Sequence, residues 1–115
     1  MAEEAVDRVF ARSEPQVRAL AGALIRRLGQ WQSVRVDAKG GSIHLCRKSA
    51  FAGLHPRRSA LLLNLRTSEP IESGRVRRVE RVSANRFHNE LLLAAPEELD
   101  DELFAWLADA CALAG

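Results

Sequence analysis

The sequence predicts an α+β fold in which N- and C-terminal helices pack on one face of a largely antiparallel sheet of four to six strands. Three observations carry that prediction. Apolar residues recur at steps of three and four over residues 14–28 and again over about 96–113, the signature of a helix with one buried side. Between those stretches the apolar period changes to two, as in strands whose alternate side chains face a core. The links between the period-two segments are mostly short and turn-rich, which joins strands as hairpins in an antiparallel sheet.

Taken in order, a short helix is expected around residues 3–11, with Val6, Val9 and Phe10 on one side. Ser13 and Gln16 stand at the spacing of a capping box, and Pro15 falls in the first turn of the next helix, where its missing N–H costs nothing. Val17, Leu20, Ala21, Leu24 and Leu28 form that helix's buried stripe, and Gly29 supplies the stop. Val34, Val36 and Ala38 then alternate with Arg35 and Asp37. Gly40-Gly41 forms a hairpin turn, and Ile43, Leu45 and Arg47 alternate with His44 and Cys46. Phe51 to Leu54, ending at Pro56, reads as a third strand, and Ala60 to Arg66 as the strongest one.

Residues 69–74 are a loop. Residues 75–82 fit neither template, because Val76, Val79 and Val82 recur every three residues. Phe87 to Leu93 is the last strand. The final helix begins near Pro96, with Leu99, Leu103, Trp106, Leu107 and Ala110 as its stripe and Trp106 expected to be substantially buried. The acids crowding its first turns (Glu97, Glu98, Asp100, Asp101, Glu102) suit the positive end of a helix dipole.

At 115 residues the chain is expected to be a single domain over 1–115, and 47% hydrophobic with 28% charged residues is an ordinary globular mixture. The longest apolar run, Ala60 to Leu63, stops at Asn64, far short of a membrane span. Glu3, Glu4 and Asp7 give the N-terminus the wrong charge for a secretory leader, so a cytoplasmic location is expected. Cys46 and Cys111 match no disulfide framework, metal site or redox motif, and read as two small, structural thiols.

Chemistry-bearing motifs are scarce. Gly40-Gly41 leads into a strand, so it is no phosphate loop opening a helix. No serine sits in a nucleophile elbow, and His44, His55 and His88 are spaced for no standard zinc motif. Neither a cofactor nor a metal is expected.

Phe51-Ala52 precedes Pro56-Arg57, a Leu-rich strand follows at 61–65, Arg86-Phe87-His88 enters the last strand, and Leu99-Asp100 leads to Ala105-Trp106-Leu107 and Ala110. The resemblance that these features carry is to a family of short bacterial domains known as domain of unknown function 5655. With a looser fit of the upstream helix and the Val36–Leu45 hairpin, it covers most of residues 10–113. Cys111 stands where that pattern would place an aromatic. The family has no established activity, and its members occur alone or joined to nuclease-like modules. The resemblance therefore implies a fold rather than a role.

The charges are sorted along the chain. Residues 35–86 hold twelve Lys or Arg against four acids, a net of +8, while residues 87–115 hold seven acids and no Lys or Arg. Fifteen of the seventeen basic residues are Arg, a bias that serves bidentate phosphate recognition or reflects genome composition. Strand parity also puts Arg35, His44, Cys46, Leu62, Asn64, Arg66, His88, Glu90 and Leu92 on the side of the sheet away from the helices. The expected function is a non-enzymatic binding module for an anionic partner, nucleic acid first. Its candidate binding residues are Arg35, His44, Arg57, Arg58, Arg66, Arg77, Arg78, Arg81, Arg86 and His88. Two alternatives stand beside it: a protein–protein or homodimer module using the open sheet face, and a small hydrolase or transferase using His88 with Glu90 or Asn64. Phe87 is the sole aromatic between Phe51 and Phe104, which argues against base stacking as the mode of binding.

Overall fold

A computed structural model describes residues 3–31 and 33–115. Helices α1 (Glu3–Val9) and α2 (Pro15–Leu28) precede strands β1 (Arg35–Lys39), β2 (Ser42–Cys46), β3 (Ala50–Pro56), β4 (Leu61–Thr67), β5 (Arg78–Ser83) and β6 (Arg86–Leu93). A 3-10 turn (Pro96–Glu98) leads into helix α3 (Asp101–Leu113). The six strands form one antiparallel sheet in the order β1-β2-β3-β4-β6-β5, so β6 inserts between β4 and β5.

The alternation of the sequence decides which side of the sheet is buried. Cross-strand partners Ile43 and Leu54, Leu54 and Leu63, Leu63 and Leu91, and Leu61 and Leu93 share one face and are all essentially inaccessible to water. The stripes of α2 (Val17, Leu20, Leu24, Leu28) and α3 (Leu103, Leu107, Ala110) close over that face, and Val6 and Phe10 extend the cover from the N-terminus. Arg27 of α2 lies 3.8 Å over the Phe104 ring of α3, which places the two helices side by side on the same layer. Among the described residues, no helix covers the opposite face.

Several local expectations are corrected. Ser13 does not cap α2. The N-cap is Glu14, with no side-chain cap, and the Ser13 hydroxyl instead donates to the Arg57 carbonyl at 2.7 Å. Gly29 ends α2 in a right-handed conformation, so a stop is present without the left-handed geometry that favours glycine. The last helix starts later than Pro96, at the N-cap Asp100, whose carboxylate accepts from Leu103 N at 3.0 Å. Glu98 braces the preceding turn, its Oε1 accepting from Ala94 N and Ala95 N at 2.8 and 3.0 Å. Trp106, by contrast, packs against the core as expected, with its ring beneath the Arg75 guanidinium, which lies 5.6 Å from the ring centre. Residues 78–83 form a strand with every residue exposed, which explains why the sequence shows no alternation there.

The crossing from β4 to β5 is the one connection that is not a hairpin, and it must pass β6 to reach the outer edge. Two buried or half-buried polar anchors hold it. Asn89, wholly buried on the helix side of β6, donates to the Leu65 carbonyl (3.1 Å) and Thr67 Oγ1 (2.8 Å), and accepts from Ile71 N (2.9 Å). Arg75 donates to the Asp100 carboxylate (2.9 Å), Glu102 Oε1 (3.1 Å) and the Glu98 carbonyl (2.8 Å), tying the same segment to the start of α3. Thus Arg75, within the arginine-rich middle, is spent on the fold. Replacing Asn89 by Ala leaves buried partners without hydrogen bonds and is expected to cost about 2–4 kcal/mol in urea unfolding. A loss below about 0.5 kcal/mol, the range of a neutral surface change, contradicts this anchoring role.

Candidate functional site

Strand register assembles a polar row across the helix-free face. Asp37, His44, Gly53, Asn64, Glu90 and Arg78 are successive cross-strand partners, so the row spans all six strands. His55 joins it from β3, although the parity reading of the sequence omitted it; its position opposite Leu62 fixes the side it faces. Its ring leans over Gly53, where a Cβ would lie 2.9 Å from His55 Nε2, so the absent side chain makes room for the imidazole. Asn64 Oδ1 is buried and has no hydrogen-bond partner. Arg35 pairs with Asp37 at 3.1 Å, and Arg78 lies 3.8 Å from Glu80 and 3.7 Å from Glu90. The arginines beside this row are thus paired with carboxylates, and the row carries no concentrated positive field.

The ten candidate residues fall into separate groups. Arg35, His44 and Arg78 belong to the charge-balanced face just described. Arg57 and Arg58 sit in the β3–β4 turn at one end of the sheet. Arg66, Arg86 and His88 gather at the other end, where β4 pairs Arg66 with His88 and the β5–β6 turn delivers Arg86. Arg81 pairs opposite Phe87 at the same end, one residue along β6 from both Arg86 and His88. Arg77 continues the β5 edge, its N–H donating to the Glu90 carbonyl at 2.8 Å. Among the described residues, Arg66, Arg77, Arg81 and Arg86 have no carboxylate within ion-pair distance.

A hollow of about 120 Å³ opens beside Arg66 and Arg86, with Ser49, Thr67, Ser68 and Asn85 on its walls and Ala110 and Leu113 of α3 behind. Arg66 is held in place by donating to the Ala50 carbonyl at 3.1 Å. Burial, together with the positive charge of Arg66 and Arg86, pushes the His88 pKa below its ordinary 6.5, against an opposing pull from Glu80. Burial and the nearby Arg57 and His44 push His55 down in the same way. His88 therefore has Arg66 and Glu80 as its cross-strand neighbours, while Glu90 lies between Asn64 and Arg78. Among the described residues, no group of three or more His, Cys, Asp or Glu is arranged to hold a metal. Among the described residues no helix is long and apolar enough to cross a membrane.

The family model for a domain of unknown function, DUF5655, matches residues 6–114. The chain belongs to this family. No curated protein and no solved structure matches the chain significantly. The match spans α1 to the end of α3, so both ends of the sheet lie within the family's domain.

The two depressed imidazoles set a pH dependence. Folded His55 and His88 bind protons less readily than the unfolded chain does, so the unfolded state takes up protons first as pH falls below about 6.5. Stability should therefore fall from pH 7 to pH 5. In urea titrations the fall should be smaller in the doubly substituted His55→Asn, His88→Asn protein. An unchanged pH slope in that variant contradicts the assignment.

Proposed function

We propose that this domain is a non-enzymatic binding module for an anionic partner, nucleic acid first. The observation that carries the reading is the gathering of Arg66, Arg86 and His88 at one end of the sheet, with Arg81 at the same end on the face that Phe87 shares, and with no described carboxylate paired to the three arginines. The adjoining hollow suits a single phosphate and offers hydroxyl and amide donors. Arg81 on the exposed edge strand and Arg77 just before it stand four residues apart, about 13 Å at ordinary strand rise, and so can meet separate, non-adjacent phosphates of one chain. Phe87 is half-buried on the helix side, which leaves phosphate contacts rather than base stacking as the source of affinity. Binding of this kind is tolerant of sequence and steep in salt.

A second reading is a two-fold homodimer through the helix-free face. It is favoured by Leu92, 39% exposed beside the buried Leu62, and by a row that ends in Asp37 at one edge and Arg78 at the other. An antiparallel stacking of two such rows brings unlike charges together. Sedimentation equilibrium at micromolar concentration separates a dimer from a monomer. The third possibility, hydrolysis or group transfer by His88, has less support, since burial and then Arg66 and Arg86 hold its imidazole basicity down and Glu90 is drawn toward Arg78.

Fluorescence polarisation with a short labelled oligonucleotide tests the first reading. Binding should weaken steeply with salt, and replacing Arg77, Arg81 and Arg86 together by Ala should lower the log–log salt slope by about three. Absence of binding at low salt removes nucleic acid as the partner.

A further inference from the structure

At the opposite end of the sheet lies a second cationic site, distinct from the surface proposed above. Arg8 in the last turn of α1 and Arg12 just beyond it meet Arg57 and Arg58 of the β3–β4 turn around a hollow of about 560 Å³. Val9, Ala11 and Pro56 form its apolar lining, and the Gly40-Gly41 turn rims it. We propose that this cleft binds a ligand carrying several contiguous phosphate groups.

Three features support the assignment. First, the four guanidinium groups are uncompensated: none has a carboxylate within ion-pair distance among the described residues. Of the acids nearby in sequence, Asp7 pairs with Arg18 at 2.7 Å and Glu14 accepts from Gln16 Nε2 at 2.8 Å, while Glu3 and Glu4, in the first turn of α1, form no ion pair with Arg8 or Arg12 among the described residues. Four like charges around one hollow repel each other, and that repulsion is relieved by a polyanion and only in part by a single phosphate. The repulsion already reaches His55, whose pKa Arg57 helps to depress.

Second, the platform is rigid. Arg57 N donates to the Ala60 carbonyl at 3.0 Å to close the turn. The carbonyls of Arg57 and Arg58 accept from Ser13 Oγ (2.7 Å) and Glu14 N (2.8 Å). The turn is thus fastened to the α1–α2 corner by its backbone, which leaves the Arg58 side chain and most of the Arg57 fork for a ligand; one Arg57 nitrogen donates to the Pro56 carbonyl at 3.1 Å. A binding group held before the ligand arrives loses little entropy when it binds. Third, guanidinium forks suit phosphate oxygens bidentately, and a hollow of this size falls within the range of small-ligand sites.

The test is isothermal titration calorimetry with inorganic triphosphate at low salt. The tightest site should bind triphosphate at least about tenfold more tightly than orthophosphate or sulfate, as the count of charge-assisted pairs requires. Arg57→Ala with Arg58→Ala should weaken it by at least about tenfold, whereas Arg86→Ala should leave it unchanged. Arg8→Gln with Arg12→Gln, which leaves the fastened turn intact, should give the same loss and guards against a folding defect in the turn variant. A nucleoside triphosphate binding more tightly than triphosphate identifies a nucleotide that also uses the apolar lining. Equal affinity identifies the phosphate chain alone; both outcomes support the site. Three results overturn it: no heat with triphosphate, equal affinity for orthophosphate, or binding that persists in both double variants. Loss of oligonucleotide binding in the turn variant without any triphosphate binding overturns it too, and reassigns these arginines to the nucleic-acid surface.

Discussion

The placement of β5 depends on one buried side chain. A chain that runs β4, β5, β6 and yet orders its sheet β4-β6-β5 must carry the β4–β5 segment past the position of β6. Asn89 is the polar group that makes this passage stable, because it meets the Leu65 carbonyl, Thr67 Oγ1 and Ile71 N from inside the core with every bond satisfied. An apolar residue there would pack well and hold nothing. Arg75 completes the clamp by reaching three oxygen-bearing groups at the start of α3 while lying over Trp106.

That constraint distributes the charge. With β5 at the edge, Arg77 and Arg81 stay in solvent on a strand no helix covers, and Arg86 turns into the last strand beside Arg66 and His88. The acidic start of α3, meanwhile, is partly consumed inside the molecule: Asp100 and Glu102 hold Arg75, and Asp101 lies 3.4 Å from Arg27. The strong positive middle and negative end of the sequence are therefore partly a folding device. What remains unpaired lies at the two ends of the sheet and along β5, and it is there that an anionic partner finds uncompensated charge.

Much of the architecture was legible because one-sided burial imposes a period. The leucines at 61, 63 and 65 and the stripes of α2 and α3 can satisfy that burial in one way only, and the parity they set also sorted His44, Asn64, Arg66 and Glu90 onto the helix-free side. Where burial is absent the signal vanishes: β5 is exposed on both sides and left no alternation to read. Local polar chemistry misled for a different reason. Ser13 fits a cap in sequence, but a carbonyl from the distant β3–β4 turn offers it a better partner. Arg8 and Arg12 were passed over as well. Their i, i+4 spacing was visible, but their meeting with Arg57 and Arg58 follows from tertiary packing alone.

As proposed, an anionic chain is received at the end of the sheet that carries Arg66 and Arg86, and not along the charge-balanced row from Asp37 to Arg78. Amide chemical-shift mapping during titration with a short oligonucleotide tests it most directly. Shifts should concentrate in residues 49–50, 66–68 and 81–88, around the hollow and the β5–β6 turn. Shifts confined to the row from Asp37 through His44, Asn64 and Glu90, or the absence of any shift at low salt, would contradict it.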